Sequence, residues 1–176
     1  MFASFYQFSV DFLTIHTTVI NYMKIYLSIL ITILLLACST SSKKNLTEPE
    51  VQLVMNNCLE LWASYDLDKI EDIFWNSPAL TYFSSEKRGL IKGFDQLKPH
   101  HEAFGFVAGG KPASNSLWLK EMNITLHRQT AVVDAIWYFG DKLLPEDSVQ
   151  QGPCTFVIIR DTNKQAQIAH VHFGNY

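Results

Sequence analysis

The sequence predicts an α+β domain in which helices come first and a curved antiparallel sheet comes last. Three observations carry this reading. Residues 51–65 place apolar side chains at spacings of three and four, the period of a helix with one buried stripe. Residues 116–127, 131–140, 151–161 and 165–176 are runs rich in β-branched and aromatic residues, divided by turn-forming residues. The helical periodicity precedes the long strands, an order that segregates helices to one face of a sheet instead of alternating them with strands.

Each element has a local cause. Thr47-Glu48-Pro49-Glu50 has capping-box spacing, with a proline in the first turn where no hydrogen bond is lost, so a helix starts there. Val51, Val54, Met55, Cys58, Trp62 and Tyr65 form its inner stripe. Asp68 and Glu71 repeat the cap-and-return pattern and open a second, short helix with Ile70, Ile73 and Phe74 inward. Residues 79–84 and 89–92 read as short strands around Ser85-Glu86-Lys87-Arg88, and Gly93 breaks the second. Phe94, Leu97, His101 and Phe104 predict a third helix over 94–107, from which His100 projects about 100° away from His101. A Gly-Gly-Lys-Pro loop at 109–112 leads to the long strands, and the last two are joined by a turn at 162–164. Regular alternation on the final strand puts Ile168, His170, His172 and Gly174 on one side and Ala169, Val171 and Phe173 on the other. Both sides hold apolar residues, so neither is simply solvated.

The start of the chain reads as an export signal. Lys24 precedes an apolar run over 25–37, too short for the roughly 20 residues that span a bilayer core. It fits the hydrophobic region of a signal peptide, and Leu35-Leu36-Ala37-Cys38 is similar to a bacterial lipobox with Cys38 as the lipidated residue. Residues 1–22 carry Asp11 within their apolar stretch and have no cationic start, so Met23 is the expected initiator and 1–22 an upstream start-site artefact. The resulting organisation is a signal peptide over 23–37, a polar tether over 38–46 and one domain over 47–176. The expected location is the cell envelope, on the membrane through the lipid.

The formal charge is −3, and the part from Cys38 onward keeps that value because Lys24 and Asp11 offset one another. No basic patch with interleaved aromatics is present, which argues against nucleic acid as a partner. No serine lies in a GxSxG turn, and the glycines of 105–110 lack the Lys-Ser/Thr of a phosphate loop. Cys58 and Cys154 read as small buried hydrophobes.

Leu61-Trp62 with Asp66 and Phe74, Tyr82 and Gly93 before the third helix, Ala131-Val132-Val133, and the terminal Ile168-Ala169-His170-Val171-His172-Phe173 together carry a resemblance. On these residues the domain resembles the nuclear-transport-factor-2-like superfamily, in particular its SnoaL-like and ketosteroid-isomerase-like bacterial members. The resemblance implies a curved sheet wrapped by helices into a cone, a cavity at the open end and a homodimer. It implies no single activity, because the superfamily includes isomerases, cyclases, dehydratases and non-catalytic modules.

His170 and His172 are the first candidate catalytic groups, since residues i and i+2 on a strand point the same way and neutral imidazole both donates and accepts near pH 7. The alternative is that they lock the strand in place through buried hydrogen bonds. Asp134 is the third, a carboxylate in an apolar strand that is either a base with a raised pKa or a paired structural charge. The base and the tyrosine–aspartic acid oxyanion pair of the ketosteroid isomerases have no position-by-position match here. Tyr82 is the candidate hydrogen-bond donor, and Trp118, Trp137, His101 and Phe156 are candidate ligand-binding residues. Two strand histidines with one helical histidine approximate a zinc triad, but no HExxH-type spacing supports it, so neither metal nor cofactor is expected. The expected partner is a small, largely apolar molecule, with isomerase, cyclase or dehydratase chemistry as one reading and a non-catalytic binding or assembly module as the other. A cavity with convergent polar groups separates the first from the second.

Overall fold

The computed structural model describes residues 23–24, 26–28, 44–161 and 165–176. The chain divides into two units, Met1–Ser42 and Lys43–Tyr176. In the first, the described residues are helical and exposed, and Cys38 lies outside them, as does the 162–164 turn of the second. Among the described residues no helix is long and apolar enough to cross a membrane.

The second unit begins with helix α1, Glu48–Ser64, whose start follows the local code. The Glu50 carboxylate accepts from the Thr47 backbone N–H at 3.0 Å and from its hydroxyl at 2.8 Å. Val51, Val54, Met55, Cys58, Leu61 and Trp62 are buried along one stripe. The helix ends where Tyr65 turns left-handed (φ 49°) and donates its N–H to the Leu61 carbonyl at 2.9 Å. A 3-10 turn, Leu67–Lys69, leads into the short helix α2, Ile70–Ile73. Asp66 caps the 3-10 turn, accepting from the Asp68 N–H at 3.1 Å, while α2 has Lys69 at its N-cap with no side-chain cap, so the predicted Asp68 cap is not formed. Asp68 is committed elsewhere: its carboxylate accepts from the Gly109 N–H at 2.9 Å, across a loop that sequence spacing does not reveal.

Strands β1, Thr81–Phe83, and β2, Ile91–Lys92, precede helix α3, Phe94–Phe104. The long strands are β3, Ser116–His127; β4, Thr130–Gly140; β5, Gln150–Arg160; and β6, Ala166–Phe173. They form one curved six-stranded sheet in the order β2-β1-β6-β5-β4-β3, antiparallel except where β1 runs parallel to β6. Ala131, Val133, Ala135 and Trp137 of β4, Cys154, Phe156 and Ile158 of β5, and Ile168, Val171 and Phe173 of β6 are buried on its inner face with the α1 stripe. Cys58 and Cys154 are free and buried, and burial pushes each thiol up to about 12, so they pack as small apolar groups.

One register feature corrects the expected faces of β6. Val157 pairs with His170 but its neighbour Ile158 pairs with Ile168, leaving Ala169 as an extra residue in a β-bulge. The bulge reverses the alternation: Ile168 is buried with Val171 and Phe173, while His170 and His172 turn to the other face. Ile168 and His170 therefore do not share a side.

Residues 44–46 are bonded to this unit. The Arg160 guanidinium donates to the Lys44 carbonyl at 3.0 Å, the Asn45 carbonyl at 3.1 Å and the Glu50 carboxylate at 2.7 Å. Leu46 is buried, and its N–H donates to the Arg128 carbonyl at 2.6 Å.

Candidate functional site

The sheet and helices α1 and α3 line an open cavity of about 30 Å3. Its apolar wall is built from Trp62 of α1, Phe104 of α3, Leu117 of β3, Trp137 and Phe139 of β4, and Phe173 of β6. Trp62 is the hub of this wall, edge-to-face with Phe104 at 5.1 Å, Phe106 at 5.2 Å and Phe139 at 5.6 Å between ring centroids. The Trp137 indole N–H donates to the Gly174 carbonyl at 2.7 Å and ties the chain end to the sheet. Tyr82, His100, Gln150 and the 84–86 segment supply the polar part of the lining. At about 30 Å3 the space is roughly a tenth of the smallest drug-sized pockets, so it takes a group of few heavy atoms.

Two histidines on α3 have different surroundings. His100 is half-buried and lines the cavity, 5.7 Å from the Tyr82 ring. Desolvation, with the Lys87 charge beside it, holds its pKa below the ordinary histidine range. His101 is buried behind the wall, its ring 5.8 Å from both Trp62 and Tyr82, 5.7 Å from Phe74 and 5.0 Å from Phe106. Its Nδ1 lies 3.1 Å from the Leu97 carbonyl, which fixes the tautomer with Nδ1–H donating and Nε2 as an unprotonated acceptor. Burial pushes the ring down to about 4. Among the described residues Nε2 has no hydrogen-bond partner. Tyr82, 2% exposed, has its phenol raised by the same desolvation and remains a neutral donor.

The sequence-predicted residues separate into two groups. Tyr82 and Trp137 line the cavity and His101 stands directly behind it; Phe156 is core, packed edge-to-face on Phe173 at 5.6 Å. His170, His172, Asp134 and Trp118 lie on the outer face of the sheet and do not meet the cavity. His170 Nδ1 is 2.8 Å from the Thr81 hydroxyl, and His172 packs edge-on against Phe83 at 5.4 Å. Asp134 is exposed, accepting from the Thr155 hydroxyl at 2.8 Å, and is not the desolvated carboxylate that a general base would be. Trp118 stacks on Tyr138 at 5.4 Å with Lys142 over it. Sequence reasoning missed Glu86, Gln150 and Phe139 as lining residues. The signal available was weak, because these three come from a turn and two strands that only the closed sheet brings together.

No sequence model of a known family matches the chain, and no curated protein matches it. Solved structures do. A nuclear transport factor 2-like superfamily protein of Salmonella enterica serovar Typhimurium aligns with a TM-score of 0.57 at 21% identity, over 72% of this chain and 89% of its own. A Parabacteroides distasonis protein named provisionally as a ketosteroid isomerase aligns with a TM-score of 0.57 at 16% identity, over 77% of this chain and 97% of its own. The CaMKII hub of S. rosetta aligns with a TM-score of 0.57 at 20% identity, over 73% and 95%. At such identities the likeness speaks to backbone arrangement, and with the helix-wrapped curved sheet already described it establishes that this chain has the nuclear-transport-factor-2-like fold.

Proposed function

We propose that the chain is a lipid-anchored, cell-envelope member of the SnoaL-like group that binds a small, largely apolar molecule at the mouth of its cone. The observation that carries this is the convergence of Tyr82, His100 and Gln150 on a cavity otherwise walled by aromatic rings. The rings supply an apolar wall, and the three polar groups orient whatever enters. Catalysis by His170, His172 and Asp134 has no support in this geometry, since these side chains face away from the cavity. Acid–base chemistry at the mouth would fall to His100, neutral near pH 7, with Tyr82 as donor. The test is native mass spectrometry of the full chain purified in mild detergent, looking for a co-purifying small molecule. Its loss in Leu117→Trp, which fills the cavity, supports the reading; retention of the same adduct in that variant sinks it.

A second reading is a dimeric assembly module. It is favoured by the outer sheet face, where Val132, Ile136 and Val157 are half-buried beside Phe83 and the Trp118–Tyr138 stack. One similar structure is named as a CaMKII hub. The two readings are compatible, because ligand and partner would occupy opposite faces of one sheet.

A further inference from the structure

We infer that the mouth of the cone selects a small organic ammonium ion, an inference that rests on the ligand-binding reading and narrows it to one chemical class. Rings form the walls: Trp62, Tyr82, Phe104, Trp137, Phe139 and Phe173. Aromatic faces carry negative potential and attract organic cations, tryptophan most strongly, and the attraction grows where water is excluded. Formal charge in the lining comes from Glu86, and among the described residues no lysine or arginine lines the cavity. Lys87 is exposed and outside the lining, though its charge reaches His100.

The buried polar chemistry points the same way. His101 is wedged against Trp62, Tyr82 and His100, three lining residues, at centroid distances of 5.8, 5.8 and 5.7 Å. With its Nδ1–H donating to the Leu97 carbonyl, its Nε2 lone pair is, among the described residues, an acceptor lacking a donor. A fully buried acceptor left without a partner is costly, and a cation held beyond the lining rings acts on it only through the longer-range Coulomb attraction. A carboxylate or phosphate ligand would meet Glu86 and aromatic rings with no lining cation to pair it. A neutral alcohol would forgo the attraction of the rings.

Three ligands of nearly equal size and different charge decide the matter: n-butylammonium, butan-1-ol and butanoate. Each is titrated at pH 7 into the full chain in a non-ionic detergent, with the indole N–H resonance of Trp137 as readout. The expected result is at least tenfold tighter binding of the ammonium ion than of the alcohol, with butanoate weakest. Glu86→Gln, an exposed substitution that leaves the core intact, should weaken the ammonium ion by up to about fivefold, the usual range for an exposed ion pair, and leave the alcohol unchanged. Equal or tighter binding of the alcohol overturns the charge selectivity while leaving the ligand-binding reading standing. No binding by any of the three at millimolar concentration overturns both.

Discussion

His101 shows how one side chain couples the site to stability. Its ring is neutral in the folded protein because burial holds it at about 4, whereas an unfolded histidine titrates near 6.5. A depressed histidine pKa means that the unfolded state takes up the proton first as the pH falls. The native state therefore loses stability from about pH 6.5 down to about 4, by on the order of 3 kcal/mol in total, and is fully favoured above that window. Urea unfolding between pH 7.5 and 4 should show this slope, and His101→Phe should remove most of it while keeping a ring among Trp62, Phe74 and Phe106. His100 and His170 are shifted in the same direction and account for a residual slope in the variant. An unchanged pH dependence in His101→Phe would refute the assignment.

At the scale of elements, the start of α1 is held by a residue 110 positions away. Arg160, at the end of β5, has a side chain only 6% exposed and binds both the entering backbone and Glu50. That carboxylate is held down to about 2, chiefly by the Arg160 hydrogen bond, then by Lys44 and Thr47. Its folded pKa lies below the unfolded value, so the contribution is complete above about pH 4.5 and is lost as the pH falls through about 2. Arg160→Met should cost on the order of 1–3 kcal/mol at pH 7 and flatten the acid limb of the stability curve. Chemical denaturation of both proteins at pH 7 and pH 3 measures this; equal losses at both pH values would rule out the Glu50 linkage. Strand β5 contains a second constraint. A Cβ at Gly152 would stand 2.1 Å from the Gly174 carbonyl oxygen, the same oxygen that accepts from Trp137. Gly152→Ala must push the chain end off the sheet, and a drop in thermal stability with a shifted Trp137 indole resonance is the expected outcome, of roughly 1–3 kcal/mol.

The whole molecule raises two questions that single elements do not. One face of the sheet is filled by α1 and the core, while Val132, Ile136 and Val157 on the other are half-buried without a covering element among the described residues. We propose that a second copy covers this face, the symmetric solution most oligomers adopt. Ile136→Lys should then convert a sedimenting dimer into a monomer at tens of micromolar while the cooperative unfolding transition persists; a monomeric parent protein would end the proposal. The anchor is tested separately. Cys38→Ser should abolish lipid labelling and release the protein from the membrane fraction, and a variant that still fractionates with membranes at unchanged mobility would exclude lipidation at that residue.

Much of this architecture is local and therefore legible in the chain. The capping box at Thr47, the α1 stripe and the order of helices before strands depend on neighbours within a few positions, and they appear in the fold as the periodicity predicts. The faces of β6 are different. Alternation alone puts His170 beside Ile168, but a bulge exists only relative to a partner strand, and the pairing of Val157 and Ile158 across Ala169 sets it. That one residue turns both histidines away from the cavity. The mouth is likewise assembled from Glu86, His100 and Gln150, residues in separate elements with no common motif. The sequence by itself determined which segments are helix and strand, because those choices follow from local periodicity and hydrogen bonding. Only the tertiary structure decided which polar groups meet in the cavity, because strand register and closure of the sheet are non-local.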